Sequence, residues 1–510
     1  MKRILIFTAI LAFASCNKDI TDRTKYAAPL SPARLDESAG NWTPILLTSA
    51  TEFAITIPAM AGTDAYKAEI KEVMQLNASI SPAQQKIIRY WAAGGVFRWN
   101  EIMRELVALH NLPPYQNPDG TYPFPSAANP FAYPVFPFAN PPYAARAYAY
   151  VAAAQYDALV ACYKYKILYS RMPPYRYEAS ITPQVPAQDL ASYPSEDAVL
   201  AGVTGELLKL LFPADTAYIV KKVNEQKNYR LWAGVNVRGD LVAGEALGKA
   251  IAAKYINRAR IDGTGAAAGN AALWVALETQ TIARGEIPWI SQETPKRPPM
   301  LPLFGNVKTW LMDSATMISI RPPVPPLTGS AQFKAETEEV KWYAGHSTRE
   351  RMAIVHFWAD GLSTYTPPGH WNAIACEDFL PQNFSEVRWA RNLALLNLAM
   401  MDAAINCWNT KYFYFNPRPS QIDSSIKTLT GLPNFPSYTS GHSTFSGAAA
   451  TVLGFITPAK ANIYTSMAKE ASYSRLYGAI HYRSDCESGL ECGNRVGAFA
   501  VTRGRGDGAN

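Results

Sequence analysis

The chain is sparing with the residues that most often build metal sites: six cysteines and six histidines in 510 residues. No Cys-x-x-Cys pair occurs, which argues against a structural zinc site. Past the first fifteen residues, no apolar run reaches the roughly 18 residues that a membrane-spanning helix needs. The net charge of +7 is modest and dispersed. Without a basic block of the kind nucleic-acid binders carry, nucleic acid is excluded as a partner.

What the N-terminus does carry is a sorting pattern. Lys2 and Arg3 precede an apolar stretch, Ile4 to Ala14, and then Ser15-Cys16. Residues 1–15 are expected to be a signal peptide, with Cys16 lipidated as in a bacterial lipoprotein and residues 16–41 serving as a tether. Phe13 departs from the usual cleavage box. The expected location is a bacterial membrane, on its periplasmic or cell-surface side.

Thirty-eight prolines fall between periodic segments and not within them, which predicts an all-α chain of moderate helices joined by long packed loops. Ser81-Pro82 reads as an N-cap with proline at the first helical position, opening a helix over Gln84 to His110. Leu112 to Tyr143 reads as an ordered, wrapping loop, and Ala144 to about Lys166 as a second helix. Proline-rich connections follow at Met172–Pro194, Ile287–Pro302 and Arg321–Pro326.

The chemically specific residues cluster between Lys411 and Asp485. Lys411 and Arg418 have six residues between them and a proline, Pro419, after; then come Ser440-Gly441-His442 and Ser474-Arg475, with His481 and Asp485 four residues apart. Lys411, Arg418 and Arg475 offer charge and forked donors to oxyanion oxygens. Gly441 opens an alanine-rich helix whose free N–H groups would face an anion. His442, in its first turn, is placed to act as general acid or base. Asp485 can fix the His481 tautomer and leave the other ring nitrogen free.

This ordered set resembles the superfamily joining type 2 phosphatidic acid phosphatases, bacterial class A acid phosphatases and vanadium-dependent haloperoxidases. One position departs: Thr439 stands where the family usually has proline. The resemblance implies that Lys411, Arg418, Ser440, Gly441 and Arg475 cradle the equatorial oxygens, and that His481 is the apical ligand or nucleophile. Trp408 and Phe435 are similar to aromatic positions beside the cofactor in the chloroperoxidase branch, and Asp360 is a candidate partner for one arginine. The implied activity is oxidation of halide by hydrogen peroxide at vanadate held by His481. A phosphomonoesterase acting on a phosphate ester, with phosphate at the same site, is the alternative within the fold. A non-catalytic, anion-binding surface lipoprotein is the alternative outside it. His370 is read as lining the entrance; His110, His346 and His356 as structural.

Sliding the chain on itself reveals an internal repeat at the offset from Lys166 to Lys411, 245 residues. Asp157 then meets Asp402, Tyr193 meets Tyr438, Ser195 meets Ser440, Arg230 meets Arg475 and Asp240 meets Asp485. At the positions of Arg418, His442 and His481 the first half has Pro173, Asp197 and Asn236. The expectation is two halves arising by tandem duplication, residues 42–275 with a degenerate site and residues 276–510 with the working one, which agrees with the two four-helix bundles that the resemblance implies. Cys486 and Cys492 flank Ser488-Gly489 and are expected to close a small disulfide loop, unless that segment is one continuous helix.

Overall fold

A computed structural model describes residues 27–111, 118, 140–294 and 296–509; the expected signal peptide, Cys16 and nearly all of the expected wrapping loop lie outside them. Its regular secondary structure is helical throughout, and none of its helices is long and apolar enough to cross a membrane.

Two helices of 29 residues, Pro141–Tyr169 and Glu386–Tyr414, pack against each other at the centre. Both are apolar around most of their circumference, as a helix enclosed on all sides must be. Asn140 and Ser385 cap their N-termini, and each ends at a left-handed residue, Ser170 or Phe415. Each central helix leads a four-helix unit. The first adds Glu196–Leu211, Thr216–Trp232 and Arg238–Arg260; the second adds Gly441–Ile456, Ala461–Tyr477 and Arg483–Gly506. Every one of these helices begins 245 residues after its counterpart, so the repeat read in the sequence has an element-by-element geometric equivalent.

The repeated aspartates show what such a pattern preserves. Asp157 accepts the backbone N–H groups of Ile45, Leu46 and Leu47, and Asp402 those of Trp310 and Leu311. In each unit a carboxylate buried in the central helix thus fastens the segment of chain that precedes the unit. Burial pushes the Asp402 carboxyl up to about 7.

Three expectations need correction. The helix over Gln84 to His110 is two helices, Pro82–Trp91 and Gly95–His110, broken where Gly94 takes a positive φ of 116°. The Ser81 cap and Pro82 at the first helical position are as read, and Gln84 adds a reciprocal bond to the Ser81 N–H. The tether, from residue 27 on, is packed: Leu30 N–H bonds Ala92 O, and Asp36 pairs with Arg388. Cys486 and Cys492 are free thiols on one unbroken helix, Arg483–Gly506. Six residues of helix separate them by about 9 Å, too far for a disulfide. Gly489 is no break. A methyl group there would lie 2.9 Å from Ser440 O, so glycine lets this helix close on the turn that carries the site.

Candidate functional site

Lys411 lies in the last turn of the second central helix, fully buried. Its ammonium donates to three backbone carbonyls, those of Pro436, Ser437 and Thr439. The sequence suggested a donor to anion oxygens; the structure makes Lys411 a strut that pins the turn presenting Ser440 to His442. Phe435 packs its ring 4.9 Å from the Lys411 nitrogen, and Trp408 stands 5.0 Å from Phe435. Burial, reinforced by the Arg418 charge, pulls the Lys411 ammonium below its ordinary value.

Arg418 follows at the end of a short loop. Its Nε donates to Phe435 O at 3.0 Å and its Nη1 to Ile480 O at 2.7 Å, while Nη2 is buried with no hydrogen-bond partner. Arg475 donates to Ser474 Oγ and Val355 O. Burial draws both guanidinium groups down to about 10, so both stay charged at neutral pH. A buried guanidinium edge without an acceptor is costly, and an anion would relieve it.

Ser440 is the N-cap of the Gly441–Ile456 helix: its hydroxyl accepts from Ser443 N–H, and its own N–H donates to Asp485 O. Gly441 and His442 line the cavity at the positive end of that helix. Asp485 Oδ2 accepts from His481 Nδ1 at 2.8 Å, from Tyr482 N–H and from Ser437 Oγ. This fixes the proton on Nδ1 and leaves Nε2 as an acceptor, which takes a hydrogen bond from Arg418 Nη1 at 3.0 Å. Burial and then the Arg418 charge hold His481 well below its ordinary value; burial and then Arg475 do the same to His442. Both rings are neutral at neutral pH.

His442 Nε2 has no hydrogen-bond partner; Asp360 Oδ2 lies 3.7 Å away. Asp360 was expected beside an arginine. Its close contact is instead His370 Nδ1 at 3.0 Å, and Arg475 acts on it only through charge. His370 does not line the entrance but stands behind Asp360, stacked 4.6 Å over Trp358. His110 and His346 keep to structural contacts, with Asp215 and Trp342.

Of these residues, Asp360, Trp408, Phe435, Gly441, His442, Arg475 and His481 line a cavity of about 300 Å³. Its walls include Met300, Leu362, Leu432 and Phe445, and its rim carries the ion pair Glu293–Arg297. Sequence reasoning missed this pair, having read 287–302 only as a connection. It also missed Ser437, although Ser437 stands in the same lead-in as Phe435.

The first unit shows the same frame with its charges turned inward. Arg230 lies 3.2 Å from Asp197 and donates to Asn236; Lys166 lies 3.6 Å from Glu196. Asn236 bonds Asp240 as His481 bonds Asp485. Glu196 and Asp197 replace Gly441 and His442, so the two cations are neutralised internally, and only about 60 Å³ of space remains.

Residues 392–505, within the second helical unit, match the PAP2 superfamily. Among solved structures the chain is similar to a bacterial vanadium-dependent iodoperoxidase, at 21% identity and a TM-score of 0.58, over 79% of this chain and 95% of that one. It is also similar to the holo form of a bacterial vanadium-dependent chloroperoxidase, at 13% identity and a TM-score of 0.50, over 78% and 98%. No curated protein sequence matches it. The fold is therefore that of the vanadium haloperoxidases.

Proposed function

We propose that this protein is a vanadate-dependent haloperoxidase that oxidises halide with hydrogen peroxide. The observation that carries the reading is a buried, partnerless guanidinium edge on Arg418, whose other nitrogen bonds His481 Nε2, next to a cavity lined by His481, Arg475 and a His442 whose Nε2 has no partner. Charged donors without acceptors, a neutral imidazole ligand and a helix N-terminus suit a tetrahedral oxyanion. The aromatic wall of Trp408 and Phe435 and the fold shared with an iodoperoxidase favour vanadate. Vanadate, when bound, supplies the centre at which peroxide becomes reactive toward halide. His481 Nε2 would hold it, with Arg418, Arg475, Ser440 and the Gly441 N–H around its oxygens. His442 moves the proton that the overall change H2O2 + X⁻ + H⁺ → HOX + H2O consumes, and its low proton affinity makes it a ready donor once charged.

The second reading is a phosphomonoesterase, with His481 attacking phosphorus and His442 protonating the leaving oxygen. The apolar space above the floor favours it, because an organic leaving group would fit there. Elemental analysis of the purified protein, with parallel peroxide–halide and phosphate-ester assays with and without added vanadate, separates the two. Vanadate-dependent halide oxidation supports the first reading; ester hydrolysis that vanadate inhibits supports the second. Export and lipid anchoring through Cys16 belong to the same proposal and rest on the N-terminal sequence.

A further inference from the structure

The rim of the cavity holds an ion pair that the oxyanion site does not use. Arg297 Nε and Nη2 donate to the two oxygens of Glu293, each at 2.7 Å. The two partners differ in exposure: the Arg297 side chain is 10% exposed and that of Glu293 is 32%. Swinging the glutamate out to water costs little, whereas leaving the enclosed guanidinium without an acid costs much. A second carboxylate entering the cavity can therefore exchange with Glu293. Glu293 itself shows which group the fork accepts.

The same cavity has an apolar lining of Met300, Leu362, Leu432, Pro433, Phe435 and Phe445. The volume of about 300 Å³ is at the lower end for small-molecule sites and far exceeds the needs of halide and peroxide. A cavity lined by the Arg297 fork, by Arg475 and by hydrocarbon fits a ligand with an apolar body and an acid group.

We propose that this cavity is an acceptor site for apolar carboxylic acids, whose carboxylate takes the Arg297 fork from Glu293 while the body lies against the wall above the oxyanion floor. The role as acceptor rests on the haloperoxidase reading: hypohalous acid formed at the floor exchanges halogen for a ring hydrogen, R–H + HOX → R–X + H2O. The binding does not rest on it.

The test is calorimetric titration of the phosphate-saturated protein with 3-(4-hydroxyphenyl)propionate, its primary amide, and acetate. The acid should bind at least about tenfold more tightly than the amide, as a charge-assisted fork implies. Acetate, lacking the body, should not bind measurably. Arg297→Gln should erase the preference for acid over amide, and Glu293→Gln, which frees the fork, should tighten the acid several-fold. The proposal is overturned if acid and amide bind alike in the parent protein, if Glu293→Gln weakens the acid, or if the acid binds only when phosphate is left out, since the carboxylate would then sit on the floor. Halide oxidation measured without any organic acid reports on the function separately. Its absence would sink the haloperoxidase reading and leave the Arg297 result to stand or fall by itself.

Discussion

Asp360 Oδ2 lies 3.7 Å from His442 Nε2 while the same carboxylate is held by His370 Nδ1. A carboxylate at that distance favours the charged imidazole, against the burial and the Arg475 charge that lower its proton affinity. Replacing Asp360 by asparagine removes the favourable charge, so His442 should hold its proton only at still lower pH. If protonated His442 is the acid, the alkaline limb of turnover moves to lower pH, by roughly 1–3 units. A pH–rate profile of Asp360→Asn checks this; an unmoved limb would show that His442 is not under Asp360 control.

The two units should respond differently to loss of their arginines. Arg475→Gln removes a donor from the open cavity and should weaken vanadate binding by about 1.5–3 kcal/mol. Arg230→Gln strands Asp197, a carboxyl already pushed up by burial, so it should lower the melting temperature and leave vanadate affinity unchanged. Isothermal titration and thermal unfolding of both variants measure the contrast. Equal losses of affinity would contradict a single working site.

Glu386 gives the protein a stability that falls with rising pH. Burial, and next the Asp197 charge, push its carboxyl from 4.5 up to about 8, although it accepts the Val96 N–H. The folded state thus binds more protons than the unfolded one between those values, and stability present below about 4.5 is lost as pH rises through about 8. Glu386→Gln keeps an acceptor and cannot ionise. It should be more stable than the parent at pH 9 by on the order of 1–3 kcal/mol, each pKa unit being worth about 1.4 kcal/mol, with the gain gone at pH 4. Denaturant unfolding at the two pH values reads it.

Replacing Cys16 by serine should move the protein from the membrane to the soluble fraction, or leave it uncleaved. Fractionation with mass analysis of the N-terminus decides this. A variant that stays membrane-bound and correctly processed would refute the lipid anchor.

The oxyanion floor was legible because its residues sit in three short stretches, and because the repeat exposed which positions had changed in the first unit. The spacing from Lys411 to Arg418, and from His481 to Asp485, reports local geometry that a helix and a turn fix by themselves. What stayed hidden depends on distant chain. Arg297 and Glu293 reach the cavity from a proline-rich connection, and Val355 O meets Arg475 from 120 positions away. The thiols of Cys486 and Cys492 were misread because Gly489 suggests a turn locally; its actual demand, room for Ser440 O, comes from another helix. The engagement of Lys411 with three carbonyls could not be seen from its charge.

His481 and His442 are assigned different duties, and titrating vanadate into both alanine variants tests the assignment most directly. His481→Ala removes the one proposed ligand atom and should abolish tight binding. His442→Ala leaves Arg418, Ser440, Gly441, Arg475 and His481 in place, so vanadate should still bind while halide oxidation falls by roughly 10²–10⁴. Tight binding by His481→Ala, together with its loss in His442→Ala, would contradict the assignment of the two histidines.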